Sequence, residues 1–552
     1  MTARLFISAA HKSSGKTTLS IGLAAAWAGR GLAVQCFKKG PDYIDPMWLA
    51  RASGRACFNL DFNTQSQAEI AASVVLRSEG ADIALIEGNK GLHDGVDPEG
   101  SDCSAALARL TRSAVVLVID VLGMTRGIAP LLLGYQAFDP QARIAGVILN
   151  KVGPARQEGK LRQAVERYTD IPVLGAVPRD AGLSVAERHL GLMTPAEAPA
   201  AEAAIEAMRR AVEAGVDLGR LLAIGAGAPE LDVRDCGKPP SPGGCAAALS
   251  HEGRGQKGAA TQPSPLMGEG LPVALFSPRP SWERATTKSA GEGALPQCAG
   301  ASTSGQDIRI AIPRDAAFGF YYPDDLEAFE RAGATLCFFD TLANARLPDA
   351  DGLFIGGGFP ETQAARLAAN TALRGDIAEK LRAGLPAYAE CGGLMYLTRS
   401  IRWKGETHDM VGVIPADAVM HDRPQGRGLV VLEETPDFPW PRAGTRPAIR
   451  IPAHEFHYAA LANLAPGLRY AFRMVRGAGI ADRRDGIVLG NLLAGFSHLR
   501  ASAGSPWVER FVSFVRERRD AMGCGAGARC LARHETHTVA AEPQGGLGLS
   551  AR

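Results

Sequence analysis

The chain has 552 residues, 46% of them hydrophobic and 21% charged, which is enough apolar material for at least two cores and for two or three domains. A formal net charge of +2 gives no support for a nucleic-acid partner. No apolar run approaches the ~20 residues needed to cross a bilayer, and the ten cysteines follow no disulfide spacing. We therefore expect a soluble cytoplasmic protein with no signal peptide and no membrane contact.

The first 230 residues alternate short apolar runs with helix-like segments, the first of which is predicted at residues 17–30. Strands that alternate with helices favour a mainly parallel sheet covered by helices. The predicted strands are residues 5–9, 33–37, 83–87, 114–120 and 144–149.

A phosphate-binding loop follows the first predicted strand. The pattern GxxxxGK[ST] is matched by Gly15, Lys16 and Thr17, with Ala10 in place of the first glycine. Backbone amides of this loop would hold the phosphates of ATP, Lys16 would reach the β and γ oxygens, and the Thr17 hydroxyl would bind Mg2+. Thr18 belongs to the same ATP-binding segment. The motif and its position after a strand predict a P-loop NTPase-like α/β domain.

Acidic residues follow two further strands of the predicted sheet. Glu87 ends the strand 83–87, where an acid that supports Mg2+ is expected beside the phosphate loop. Asp42 and Asp45 lie on the loop after the strand 33–37. Two acids on such a loop are typical of a solvated turn, or of a site that positions Mg2+ or a substrate. We assign Asp42, with Glu87 and Thr17, to the metal.

The composition changes near residue 231. Residues 231–306 are rich in Pro, Gly and Ser and lack periodic apolar residues, so we predict a disordered linker. Residues 521–552 have the same character and are predicted to be a disordered tail. The tail contains Cys524, Cys530, His534 and His537, but their spacing matches no common structural zinc pattern.

A second α/β region spans residues 307–520. Its predicted strands are residues 309–312, 335–339, 352–355 and 386–388, and its last helix is residues 507–519. Cys391 stands between the apolar run at 386–388 and two glycines, as in a nucleophile elbow. We expect its thiol to be exposed at the sheet edge, above a helix N-terminus whose partial positive charge favours the thiolate.

Three segments together resemble the cobyrinate and hydrogenobyrinate a,c-diamide synthases. They are residues 38–46 (KKGPDYIDP), residues 87–95 (EGNKGLHDG) and residues 187–192 (ERHLGL). The resemblance implies an ATP-binding amidoligase domain at 1–230 and a class I glutamine amidotransferase-like α/β domain at 307–520. Enzymes of this family amidate two side chains of a corrin-type tetrapyrrole, with ATP and glutamine as co-substrates and with Mg2+.

The resemblance also implies roles for residues of the second region. Cys391 would attack the glutamine amide, and His498 would activate the thiol, with His454 and His457 as competing candidates. Backbone amides of the glycine loop and of the residue after the cysteine would form an oxyanion hole, for which we choose Gly357, Gly358 and Gly392.

Arg500 occupies the position, two residues after His498, where many amidotransferases carry a glutamate. The cobyrinate branch is known for lacking that acid, so this departure leaves the assignment intact.

The tetrapyrrole itself is assigned to polar residues near the phosphate loop. We expect the substrate to contact Tyr43, Asp45, Asn89, Lys90 and Asp94. An ammonium at Lys90 would pair with an acetate or propionate of the tetrapyrrole. A homodimer is the assembly considered for the protein.

Two alternatives remain open at this stage. The phosphate loop alone also fits a partitioning-type ATPase, although His11 stands where such proteins usually place an additional lysine. The nearer alternative is an amidase of sirohydrochlorin or siroheme, because Asn89 and Lys90 replace the apolar pair usual in cobyrinate enzymes.

Overall fold

A computed structural model describes residues 2–183, 187–188, 191–198, 200–231, 308–441 and 449–534. All but the first residue of the predicted linker 231–306 lies outside the described residues. So do residues 189–190 of the ERHLGL segment and the part of the predicted tail after His534, which includes His537.

The N-terminal domain alternates strands and helices. Its strands are β1 (Ala3–Ala9), β2 (Val34–Lys39), β3 (Phe58–Leu60), β4 (Ile83–Glu87), β5 (Ala114–Asp120), β6 (Ile144–Val152), β7 (Val173–Pro178), β8 (Glu187–Arg188) and β9 (Gly191–Leu192). Its helices are α1 (Lys16–Gly29), α2 (Ile44–Ser53), α3 (Gln67–Arg77), α4 (Ser104–Leu110), α5 (Ile128–Phe138), α6 (Ala155–Tyr168), α7 (Ala201–Gly215) and α8 (Leu218–Ala226).

The first seven strands form one parallel sheet in the order β3-β2-β4-β1-β5-β6-β7. Leu5 and Ile7 of β1 pack on one face of this sheet and Phe6 on the other, so both faces are covered by apolar clusters. The parallel sheet was predicted, but β3 and β7 were not. Because β1 lies between β4 and β5, the loops after β1, β2 and β4 meet at one edge.

The C-terminal domain contains more strands than helices. Its strands are β10 (Ile308–Pro313), β11 (Phe318–Phe320), β12 (Ala334–Phe339), β13 (Gly352–Ile355), β14 (Gly357–Gly358), β15 (Ala387–Glu390), β16 (Thr398–Trp403), β17 (Glu406–Asp409), β18 (Ile414–Met420), β19 (Gly426–Glu434), β20 (Arg450–His457), β21 (Ala459–Ala462), β22 (Arg469–Arg476), β23 (Arg484–Leu489) and β24 (Leu492–Gly495). Its helices are α9 (Pro323–Arg331), α10 (Ala364–Ala369), α11 (Thr371–Arg382), α12 (Gly392–Leu397) and α13 (Trp507–His534).

The main sheet of this domain is mixed, in the order β12-β10-β13-β15-β24-β23-β22-β19-β20. The pairs from β12 to β24 are parallel, and those from β24 to β20 are antiparallel. The sequence predicted only strands of the parallel half. The antiparallel half was missed because strands such as β19 and β22 mix buried and exposed residues, a weaker signal than a continuous apolar run.

The last helix continues to His534, beyond the predicted end at residue 519 and into the segment predicted to be a tail. Ala and Arg, both good helix formers, recur in this added length.

The two domains contact each other through buried polar groups. Arg500 donates to Asp324 at 2.7 Å and also to the Asn59 carbonyl of the N-terminal domain at 2.6 Å. Asn63 of the N-terminal domain donates to the Ala453 carbonyl at 3.0 Å. Since Arg500 follows His498 by two residues, this contact joins the domains beside the predicted catalytic histidine.

Candidate active site

The phosphate loop has the shape that anion binding requires. Gly15 has a φ of 91°, in the left-handed region that favours glycine, and α1 begins at the next residue. A Cβ atom on Gly15 would lie 2.1 Å from Nδ2 of Asn150, which donates to the Ser14 carbonyl at 2.8 Å. Asn150, at the end of β6, therefore holds the loop closed. Sequence reasoning missed this residue because its partner is 136 positions away.

Thr17 lies beside the acid predicted for it. Its hydroxyl is 2.8 Å from Oε1 of Glu87 and 3.1 Å from Oδ2 of Asp45. Glu87 is completely buried, and its second oxygen, Oε2, has no hydrogen-bond partner among the described residues. A buried, unpartnered carboxylate oxygen next to a threonine hydroxyl fits a divalent cation, which prefers such oxygen ligands. Thr18 follows in the first turn of α1.

Lys38 completes this cluster and was not assigned a role from the sequence. Its Nζ lies 2.5 Å from Oδ2 of Asp45 and 2.7 Å from Oε1 of Glu87, and its side chain is 2% exposed. Burial alone lowers the pKa of Lys38, but the Asp45 and Glu87 carboxylates raise it well above its ordinary value. Lys38 therefore stays an ammonium ion. The signal available in the sequence was a lysine at the end of the strand next to β4.

Asp45, rather than Asp42, lies beside Thr17 and Lys38. Asp42, predicted to bind the metal, accepts from the backbone amides of Ile44 and Asp45 at 2.9 and 3.1 Å, and so caps the start of α2. Burial, and then the nearby Asp45 carboxylate, raise the pKa of Asp42. Asp45, predicted to bind the substrate, instead joins Thr17 and Lys38. A spacing of three residues placed both acids on one turn but could not say which of them faces the phosphate loop.

Cys391 sits on a strained turn between β15 and α12. Its φ and ψ are 48° and −101°, outside the regions that a residue with a Cβ atom prefers, and its amide donates to the Gly495 carbonyl at 2.8 Å. This is the predicted nucleophile elbow. The thiol is not exposed as expected, since Cys391 is only 7% accessible and its Sγ lies 4.0 Å from the Phe456 carbonyl oxygen.

His498 is the histidine that the structure brings to Cys391. Burial alone lowers the pKa of its imidazole, but hydrogen bonds and charge interactions with Cys391 and Glu390 raise that pKa from the ordinary 6.5 to about 10. His498 is therefore an imidazolium ion at neutral pH. Such a cation stabilises a thiolate and is a proton donor for a leaving amine.

Glu390, directly before Cys391, is the carboxylate that lies beside His498. Its Oε2 lies 3.3 Å from Nδ1 of His498, while Oε1 accepts from the Tyr388 hydroxyl at 2.6 Å and from the Leu499 amide at 2.9 Å. The glutamate is 2% exposed. Glu390 was not predicted from the sequence, because an acid was expected two residues after the histidine, where Arg500 stands.

The two competing histidines have other partners. The ring of His454 stacks on that of His498 at 4.7 Å, and its Nδ1 lies 3.4 Å from the Tyr322 hydroxyl. Burial and the neighbouring His498 lower the pKa of His454 well below its ordinary value. The His457 ring stacks on Phe496 at 3.8 Å, and its Nδ1 is 2.7 Å from the Ala459 carbonyl oxygen.

The glycine loop predicted for the oxyanion hole packs against the same turn. A Cβ atom on Gly357 would lie 2.7 Å from Cε1 of His498, and one on Gly392 would lie 3.0 Å from the backbone nitrogen of Gly358. Both positions therefore need glycine for the loop, the elbow and the histidine to approach. The three predicted glycines are within reach of one site, and their donor role stays a prediction.

Tyr43 links this site to the phosphate loop. It stands at the start of α2 in the N-terminal domain, but its ring centroid lies 5.3 Å from the His498 ring and 5.1 Å from the Phe320 ring of the other domain. Two residues later, Asp45 contacts Thr17 and Lys38. One short turn therefore reaches both candidate centres.

A cavity of about 340 Å3 opens between the domains beside the phosphate loop. It is lined by three residues predicted to contact the substrate, Asn89, Lys90 and Asp94. Leu429 and Arg476 line it from the C-terminal domain. Neither of these two was found by sequence reasoning.

Comparison with known families agrees with this division into two centres. The family of the CobQ/CobB/MinD/ParA nucleotide binding domain matches residues 6–192, and that of the CobB/CobQ-like glutamine amidotransferase domain matches residues 309–505. The fold and the site thus define a glutamine amidotransferase joined to a nucleotide-binding domain.

Full-length relatives narrow this class. A cobyrinate a,c-diamide synthase from Magnetococcus marinus is 40% identical over 93% of this chain and 97% of that protein. One from Methanosarcina acetivorans is 35% identical over 91% and 93%. The chain belongs to the cobyrinate a,c-diamide synthase family, which confirms the resemblance of its motifs. The solved structure of PurLQS from Thermotoga maritima matches 38% of this chain and 98% of that chain, at 16% identity and a TM-score of 0.30.

Proposed function

We propose that the protein catalyses the ATP- and glutamine-dependent amidation of the a and c acetate side chains of cobyrinate. The observation that carries this proposal is the Tyr43–Asp45 turn, which contacts the cysteine–histidine centre at one end and the phosphate-loop cluster at the other. Two centres joined so closely suit a reaction in which the product of one is consumed by the other.

The cysteine centre supplies ammonia. The Cys391 thiolate attacks the side-chain amide carbon of glutamine, and amides of the glycine loop and of Gly392 hydrogen-bond the oxyanion that forms. His498 gives its proton to the departing nitrogen, so that ammonia leaves and a glutamyl thioester remains. Water then hydrolyses the thioester, which releases glutamate and restores the thiol. Glu390 keeps the imidazole oriented during these transfers.

The phosphate-loop centre prepares the acceptor. A carboxylate cannot react directly with ammonia because oxide would have to leave. Transfer of the γ-phosphoryl group from ATP to an acetate oxygen gives an acyl phosphate, and attack by ammonia then expels phosphate and leaves the amide. Lys16 is placed to balance the charge that develops on the transferred phosphoryl group.

A Mg2+ ion fits the oxygen ligands of this centre. Thr17, Glu87 and Asp45 would hold it, since the second oxygen of Glu87 is buried and lacks a partner among the described residues. When bound, Mg2+ supplies positive charge that favours phosphoryl transfer. In this assignment Asp45 replaces Asp42, which caps α2.

The residues around Tyr43 suggest what the burial of the cysteine centre does. Ammonia released at Cys391 emerges under an aromatic layer made by Tyr43, Phe320 and Tyr322, with ring centroids 4.6 to 5.1 Å apart. Such a layer would limit contact with water and so protect ammonia from protonation until it reaches the acyl phosphate.

Relatives named as cobyrinate a,c-diamide synthases, similar along more than nine-tenths of the chain, favour cobyrinate over sirohydrochlorin or siroheme and over a partitioning-type ATPase. We also propose a cytoplasmic location, supported by the unpaired state of four buried cysteines, Cys36, Cys57, Cys103 and Cys391. No helix among the described residues is long and apolar enough to span a membrane. A homodimer stays a prediction.

The purified protein should be incubated with Mg2+-ATP, glutamine and either cobyrinate or sirohydrochlorin, with amide gain followed by mass spectrometry. We expect two amides on cobyrinate and none on sirohydrochlorin. Cys391→Ser should lose amidation with glutamine but keep it with high ammonia, since the acceptor half needs only a nitrogen source. Preferred amidation of sirohydrochlorin would mean that sirohydrochlorin, and not cobyrinate, is the substrate. Loss of ammonia-driven amidation by folded Cys391→Ser would refute the proposal that the two centres act separately.

A further inference from the structure

The interdomain cavity is lined by cations from both domains. Lys39, Lys90 and Arg476 line it, and none of them makes a hydrogen bond or ion pair to another described side chain. In the N-terminal domain, Lys39 is the last residue of β2 and Lys90 lies in the loop after β4. Arg476 comes from the end of β22, on the opposite side of the interface.

The four aspartates of the same cavity are already occupied by their own loops. Asp102 accepts from the Val96 amide at 2.9 and 3.0 Å, and Asp94 accepts from the Gly91 amide at 2.9 Å. The others act in the same way: Asp97 accepts from the amides of Glu99 and Ser101, and Asp61 from the Asn63 amide and the Thr64 hydroxyl. These bonds fix the loops, and Asp102 and Asp61 also attract the Lys39 ammonium.

The backbone directs Arg476 toward this cavity. The register between β19 and β22 shifts between the pairs Leu432–Met474 and Val431–Arg476, so β22 bulges at the arginine. A bulge re-aims the side chain that it carries. Arg473, earlier on the same strand, points elsewhere and pairs with Glu433 at 2.6 Å.

We propose that Lys39, Lys90 and Arg476 bind carboxylates of the corrinoid that are not being amidated, so that the glutaminase domain contributes Arg476 to substrate recognition. The proposal rests on the proposed function. The cavity volume is near the lower end of the ~300–1,000 Å3 usual for ligand pockets, so it receives an edge of the macrocycle and its side chains. Asp94, which lines the cavity, also interacts with Lys16. Another side chain of the bound macrocycle edge would therefore lie close to the phosphate loop.

The test compares Arg476→Gln with Arg473→Gln, an arginine of the same strand that does not line the cavity. In the full-length protein, Arg476→Gln should raise the KM for cobyrinate about 3- to 10-fold, in the range of a partly solvated arginine–carboxylate pair. The KM values for ATP and glutamine should stay within about twofold of the wild type. Arg473→Gln should change none of the three, and Arg476→Lys should recover part of the loss.

Binding of cobyrinate without ATP, measured from its visible absorption during titration, gives a second readout. The affinity of the wild type should fall as salt is raised, and it should fall less steeply for Arg476→Gln. If Arg476→Gln leaves the KM for cobyrinate and the salt response unchanged, the proposal for Arg476 is wrong. Amidation of cobyrinate by the wild type would still support the proposed function in that case. Wild-type protein that binds cobyrinate without amidating it would instead refute the function alone, and a loss of kcat with KM unchanged would make Arg476 structural.

Discussion

Replacing Glu390 by Gln tests whether the acid before the nucleophile orients the catalytic histidine. The substitution keeps the size of the side chain and its hydrogen-bonding capacity toward Tyr388 and Leu499, but it removes the negative charge that lies 3.3 Å from Nδ1 of His498. Two unit charges at that distance attract by roughly 5 kcal/mol at an effective dielectric constant of about 20. Desolvation of the buried ions offsets part of this attraction.

A net loss of about 2 kcal/mol is therefore expected, in the range of hydrogen bonds to charged groups. This corresponds to a fall of about 30-fold in kcat/KM for glutamine. The pKa of His498 should also drop by about 1.5 pH units from its value of about 10, which would move the alkaline limb of the glutaminase pH profile down. Glutamate release should be measured across pH, together with amidation from ammonia, which should not change.

Two results would contradict this reasoning. An unchanged kcat/KM for glutamine would mean that Glu390 does not orient His498, and an equal loss with glutamine and ammonia would mean that the substitution perturbs packing. Tyr388→Phe is the matched control, because it removes one partner of Glu390 and leaves the charge. Its kcat/KM for glutamine should fall much less than that of Glu390→Gln.

The same residue pair gives a stability prediction. Because the pKa of His498 is raised from 6.5 to about 10, the native protein keeps a proton that the unfolded chain releases in this interval. The stabilisation is complete below pH 6.5 and is lost as the pH rises through about 10. Denaturant unfolding across this range should show a shallower pH dependence for Glu390→Gln, because the stabilisation by protonated His498 is lost at a lower pH in that variant.

Three further substitutions separate the parts of the site. Lys16→Ala should abolish amide formation with either nitrogen source while glutamate release continues, and undiminished product would remove the phosphate loop from the mechanism. Lys38→Met should lower the free energy of unfolding by about 3 kcal/mol, because two carboxylates lose their buried partner, with part of the loss recovered by Mg2+-ATP; an unchanged urea midpoint would refute this. Tyr43→Ala should raise the ratio of glutamate released to amide formed, since ammonia would escape to water, and a ratio equal to that of the wild type would show that the ring does not separate the centres.

Local sequence signals were sufficient for groups whose chemistry is set by neighbouring residues. The phosphate loop around Gly15 and Lys16 and the elbow at Cys391 both depend on a turn between a strand and a helix, so their spacing is visible in the sequence. The resemblance to a family added His498, whose position no local pattern specifies.

Groups that act through distant partners could not be found in this way. Asn150 closes the phosphate loop across 136 positions, and Arg476 lines the interdomain cavity next to a register shift between β19 and β22. Asp42 and Asp45 were both visible, but their roles depend on which carboxylate lies toward Thr17 once α2 has formed. A helix cap and a metal ligand use the same residue type, so spacing alone does not distinguish them.

Glu390 and Arg500 connect the glutaminase centre with the domain interface. A glutamate two residues after the histidine would orient it from within the same segment. Here the acid is Glu390, at the end of β15. The position two residues after His498 carries Arg500, which donates to Asp324 and to the Asn59 carbonyl.

Asn59 in turn donates through its side chain to the carbonyls of Gly40 and Asp42, both at 2.7 Å, and so holds the loop that carries Tyr43 and Asp45. Hydrogen bonds through Asn59 therefore join that loop to Arg500, two residues from His498.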